Sequence, residues 1–172
     1  MRVLKRICDG IGKVSQWSGW IAKFLVIVLI VSIAYDVAAR YVFNAPTIWS
    51  YTFSYMVGTA IVAIGLPYVY HHNANVRVDV IYSKLRPRGR FILDVLLTAV
   101  LFFPMVFLLI KVFGEDLWQA YLCGEVATDS IWYPILWPFK LVITLSLVFL
   151  FLQGIVTFVA DLQRLFKGGN EP

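Results

Sequence analysis

Four apolar stretches, roughly residues 20–39, 47–70, 92–113 and 139–160, take up most of this 172-residue chain. Each is close to the ~20 residues that a helix rising about 1.5 Å per residue needs to cross a bilayer core. Hydrocarbon offers no hydrogen-bond partners, so a spanning backbone must pair its own amides and carbonyls. The pattern predicts an all-α integral membrane protein: four transmembrane helices in one membrane domain over residues 1–172. The apolar share of 60% exceeds the roughly half expected of a soluble domain.

The net charge of +5 is sorted by loop and does not read as a nucleic-acid surface. Arg2, Lys5, Arg6, Lys13 and Lys23 precede or open the first span; Arg77, Lys84, Arg86, Arg88 and Arg90 lie between spans two and three; Arg164 and Lys167 follow span four. Those twelve of fifteen basic residues fall on one side of the expected membrane. Arg40, Lys111 and Lys140 fall on the other, beside Glu115, Asp116, Glu125 and Asp129. Short loops rich in Lys and Arg stay in the cytoplasm, which predicts cytoplasmic termini, a cytoplasmic central loop and a cytoplasmic (inner) membrane location in a bacterium or archaeon. Cys8 and Cys123 then lie near opposite faces, too far apart for a disulfide. No cleavable signal is evident, since the first apolar run is too long for one.

Ahead of the first span, residues 3–17 place Val3, Ile7, Ile11 and Val14 at helical spacing among basic residues. The spacing predicts an amphipathic interfacial helix over about residues 1–18, lying in the headgroup layer with Trp17 and Trp20 at the interface. At the far end of span one, Asp36 and Arg40 stand four apart, acid first, and share one helix face as a structural ion pair. Asn44-Ala45-Pro46 signals a turn, and Thr47 is placed to cap span two. Ser54, Gly58 and Gly65 form a narrow stripe of small side chains, the kind that lets helices approach closely in lipid, within the bundle or against a partner. Pro67 and Pro104 are expected to bend spans two and three. Residues 114–137 read as the longest outer connection, acidic and aromatic, and 161–172 as a cytoplasmic tail. The four acids there have few basic neighbours and are candidates for steering a soluble partner.

Chemistry for catalysis is missing from the pattern. There is no nucleophile–base pair, no phosphate-binding glycine loop, no cysteine cluster and no paired-carboxylate motif. The adjacent His71 and His72 point to different helix faces and make a poor metal site. A haem anchor would need axial ligands inside the spans. A complete transporter would be expected to show broken helices and paired polar groups at mid-membrane. On residues alone, the reading is an accessory or scaffold membrane subunit, neither enzyme nor cofactor protein.

The run Asp36-Val37-Ala38-Ala39-Arg40-Tyr41-Val42-Phe43-Asn44-Ala45-Pro46 with Trp49-Ser50 resembles the first hairpin of the small membrane (Q-type) subunit of tripartite ATP-independent periplasmic (TRAP) transporters. Asn75-Val76-Arg77-Val78-Asp79-Val80, the basic stretch after it, Asp94 opening span three, and Pro134-Ile135-Leu136-Trp137-Pro138 before span four fit the same family. The likeness covers roughly residues 15–160. One departure is Tyr51-Thr52, where members often carry acids. The resemblance implies a small subunit paired with a larger multi-span subunit that holds the solute and sodium sites. It implies a periplasmic binding protein that delivers an organic anion, such as a carboxylate, sugar acid or sulfonate, for sodium-coupled symport. A membrane anchor for another complex, or a free-standing small channel or exporter, remain the alternative readings of the same spans.

Overall fold

The structure, a computed structural model, describes residues 2–72, 89, 93, 95–128 and 131–166, with side chains described in that set outside 2–9 and 163–166. Four long helices follow one another: α1 (Arg2–Tyr41), α2 (Ser50–His71), α3 (Val95–Cys123) and α4 (Trp137–Phe166). All four are long and apolar enough to cross a membrane. No strand is present among the described residues beyond a single bridge between Val126 and Ile135.

The expected boundary near residue 18 is absent, because α1 runs unbroken from Arg2 to Tyr41. No proline interrupts that stretch, and glycine only lowers helix propensity by about 1 kcal/mol without ending a helix. Gly12 and Gly19 lie against side chains of α2, and Ser15 is buried against α4. These residues pack α1 against α2 and α4. α1 ends where Asn44 adopts φ 49°, a left-handed conformation that asparagine tolerates, and the Ala45 amide turns back to the Ala39 carbonyl at 3.0 Å.

α2 starts at Ser50 and not at Thr47, and its N-cap Trp49 makes no side-chain cap bond. The Thr47 hydroxyl is committed elsewhere, to the Asp36 carboxylate. A charge-assisted bond outcompetes a neutral cap, which corrects the capping role expected for Thr47. In α3, one wide turn spans Thr98–Phe102, with the Phe103 amide reaching back to Thr98. This π turn comes directly before Pro104, whose ring would otherwise crowd the carbonyl four residues back.

The third helix continues to Cys123, well past the expected end near residue 113. Glu115 to Cys123 holds no breaker, and Gly124 closes the helix at φ 61° and ψ 40°. Glu115 and Asp116 are thus helical residues and not part of a loop. The shorter connection that remains is clipped by two backbone bonds, Ala127 N–H to the Pro134 carbonyl (2.9 Å) and Leu136 N–H to the Glu125 carbonyl (3.0 Å).

α4 is the central element and packs on each of the other three, while α1 leans mainly on α2. The main buried cluster, Val106, Leu147 and Leu150, sits between α3 and α4, with Tyr70 of α2 and Phe102 packed against it. Only 6% of the spanning window of α1 and of α3 is buried within the chain, against 28% for α4. The outer helices therefore present most of their apolar surface outward, to lipid or to another protein.

Candidate functional site

Polar side chains gather at the two ends of the bundle. At the end where α1 meets α2, Arg40 Nη2 donates to Asp36 Oδ2 at 2.9 Å, and Thr47 Oγ1 donates to Asp36 Oδ1. The Asp36 side chain is 15% exposed and Arg40 56%. The carboxylate is held by one residue of its own helix and one beyond the turn, so it ties the Asn44–Pro46 turn back onto α1. Tyr35 stacks on Trp49 beside it (6.1 Å, 24°), and Trp49 meets Phe53 edge-on. Ser50 is buried at the start of α2.

A second cluster at the same end centres on Lys140, one turn into α4 after Pro138. Its ammonium donates to Asp116 Oδ1 of α3 at 2.9 Å and to Glu125 Oε2 of the connection at 2.6 Å. The Lys140 side chain is only 13% exposed. Two of the four acids read as a free patch are thus held by a lysine remote in sequence. Glu115 lies 4.0 Å from Lys111, both well exposed. Asp129 is outside the described residues, as are Arg77, Asp79 and Asp94 of the family motifs.

The opposite end carries a network that sequence reasoning missed. Ser15 Oγ donates to Gln153 Oε1 at 2.9 Å, and Gln153 Nε2 lies 3.0 Å from His71 Nδ1. Ser15 and Gln153 are both buried. With the amide nitrogen donating, Nδ1 accepts and the imidazole is neutral with its proton on Nε2. One glutamine so links α1, α2 and α4. The signal available was a lone amide in an otherwise apolar span, which must find a partner because unpaired burial is costly. Nearby, Lys23 Nζ lies over the rings of Trp20 (5.5 Å) and Tyr68 (5.9 Å).

The small-residue stripe does not make a close contact among the described residues. A Cβ added at Gly58 or Gly65 would meet nothing within 4 Å, and Ser54 Oγ is buried without a partner. Close approach occurs at glycines outside the stripe. A Cβ at Gly19 would collide with the Tyr68 ring, and one at Gly154 with the Phe102 ring.

These arrangements suit joining helices. No group of three His, Cys, Asp or Glu side chains converges among the described residues. Cys123 is free and exposed. A family model described as the DctQ component of tripartite ATP-independent periplasmic transporters matches residues 29–164. No curated protein matches the chain significantly.

Proposed function

We propose that the chain, which belongs to the family of DctQ components of tripartite ATP-independent periplasmic transporters, is the stationary membrane wall of a solute importer. The family is one of transporter components and not of enzymes, and it associates with a large membrane subunit and a binding protein. The observation that carries the stationary role is the layout of the bundle. Its polar groups are spent on joining helices at the two ends, while α1 and α3 leave most of their apolar surface uncovered.

In this reading the large subunit holds the solute and sodium sites, and the small subunit forms a heterodimer with it and lengthens the fixed part of the transporter. Transport is sodium symport of an organic anion. Lipid covers whatever face the large subunit leaves open. The periplasmic binding protein docks at the end that carries Glu115 and Lys140. Because Asp116 and Glu125 are engaged by Lys140, steering falls to Glu115 and Asp129. Exposed charges act over a Debye length of about 8 Å at physiological salt and change encounter rate more than affinity.

The role is tested in proteoliposomes with the large subunit and the binding protein. Omitting the small subunit is expected to abolish uptake. Glu115→Gln with Asp129→Asn is expected to slow uptake at limiting binding protein and low salt, with recovery at saturating binding protein. Full uptake without the small subunit would end the proposal, and kinetics untouched by the double substitution would remove the steering role.

The sorting of basic residues supports an inner-membrane orientation with both termini and the loop around residue 84 in the cytoplasm. With the native cysteines replaced, an impermeant thiol reagent added to intact cells should label Glu125→Cys and spare Lys84→Cys. The reverse pattern would invert the topology.

A further inference from the structure

The basic side chains divide by end of the bundle. At the end that carries Asp36, each of Arg40, Lys111 and Lys140 pairs with an acid. At the opposite end Lys13 and Lys23 are exposed, and among the described residues no acid pairs with either. Lys23 is the deeper of the two. It lies thirteen residues before Asp36, about 20 Å along the helix at ~1.5 Å per residue. A hydrocarbon core is about 30 Å thick, so the Lys23 backbone still lies within it when Asp36 marks the far boundary. The ammonium snorkels back over Trp20, one turn nearer the water.

Two rings fix where that ammonium sits. Its Nζ is 5.5 Å from the centre of the Trp20 ring and 5.9 Å from that of Tyr68. The Tyr68 ring can reach α1 because Gly19 is buried beneath it and offers no Cβ. On its other flank Tyr68 is braced by His72, with ring centres 4.2 Å apart and His72 Nδ1 3.0 Å from the Tyr68 carbonyl. Aromatic faces attract and orient a cation, but they leave its full charge in place. An exposed, uncompensated charge at the edge of hydrocarbon calls for an anion from outside the chain.

We propose that Lys23, framed by Trp20 and Tyr68, is a binding site for the phosphate of an anionic phospholipid. A dissolved anion would have to leave water to reach this depth, whereas a phospholipid already carries its phosphate at the hydrocarbon boundary. A headgroup that lacks an ammonium of its own fits best, because no acid among the described residues near Lys23 stands ready to receive one. The lipid then supplies at this end of the bundle the negative charge that Asp36, Glu115, Asp116 and Glu125 supply at the other. By resting on residues of both α1 and α2, it also ties those two helices together. The site needs only a bilayer around the chain and does not depend on the large subunit.

The test uses the full chain purified in a neutral detergent, with lipid added to the micelles. Phosphatidylglycerol should raise the melting temperature by several degrees, as a ligand of the folded state does. Phosphatidylcholine and inorganic phosphate should each leave it unchanged. Native mass spectrometry should show one phosphatidylglycerol retained per chain. Lys23→Gln should weaken that retention about fivefold or more, the scale of one basic residue at a lipid surface, and remove the thermal shift. Lys23→Arg should keep both. Lys13→Gln is the control, since it removes the same charge ten residues away and should change neither. Equal shifts with the two lipids would overturn the headgroup site. A shift with inorganic phosphate would make it a site for a dissolved anion instead. Retention untouched by Lys23→Gln, or lowered equally by Lys13→Gln, would show diffuse charge and no site at Lys23.

Discussion

Gly154→Leu is expected to force α3 and α4 apart and to produce the largest fall in melting temperature of any single substitution in the bundle. Gly154 is buried where α4 meets the wide turn of α3. That turn, Thr98–Phe102, thrusts the Phe102 ring toward α4, and a Cβ at 154 would already collide with it, with Cζ at 3.0 Å and Cδ1 at 3.3 Å. The ring is already in contact with two other aromatic side chains. It stacks on Tyr70 of α2 (4.8 Å, 25°) and meets Phe103 edge-on (5.7 Å). Overpacking costs about 1–3 kcal/mol. Loss of the Tyr70 stack adds about 0.5–1.5 kcal/mol. Even Gly154→Ala should be measurably destabilised in a detergent melting experiment. A Gly154→Leu chain that melts with the wild type would show that the ring escapes and that the glycine is dispensable.

Gly58 makes the informative contrast. Its stripe with Ser54 and Gly65 has the periodicity of a helix contact, yet among the described residues nothing lies over either glycine. Gly58→Leu should therefore leave the melting temperature of the isolated chain unchanged. A fall like that of Gly154→Leu would put the stripe inside the bundle. Spacing along one helix identifies residues that share a face, but not which face meets a neighbour. Gly19 and Gly154 make the close approaches from single positions, each set by a ring on another helix, and nothing in their local sequence marks them.

The same division runs through the polar residues. The four spans were legible because their lengths answer to the thickness of a bilayer. The Asp36–Arg40 spacing was legible because i and i+4 share a helix face whatever the tertiary structure does. Lys140 with Asp116 and Glu125, and Gln153 with Ser15 and His71, join residues from 15 to 138 positions apart, and only the packing of α4 brings them together. The helix ends moved for local reasons. α3 outran its apolar stretch because Glu115 to Cys123 contains no breaker, and α2 began late because Thr47 is drawn to a carboxylate.

That carboxylate carries the remaining prediction. Asp36→Ala should lower the yield of assembled complex severalfold, more than Arg40→Ala, which should in turn exceed Thr47→Val. The order follows from the hydrogen bonds. Asp36 accepts from both partners, so its loss frees the turn and strands a guanidinium at the edge of the span. Loss of Arg40 leaves Asp36 held by Thr47, and loss of Thr47 keeps the charge pair intact. Removing one member of an ion pair costs more than removing both, because an unpaired charge must then be accommodated near hydrocarbon. Asp36→Asn combined with Arg40→Gln keeps a polar contact without charge and should recover most of the yield lost by either single change, a non-additivity expected of residues in direct contact. A structural pair predicts that any complex formed by these variants retains its sodium dependence of uptake. If the single variants assemble normally and instead shift that dependence, Asp36 belongs to the coupling machinery, and the structural reading fails.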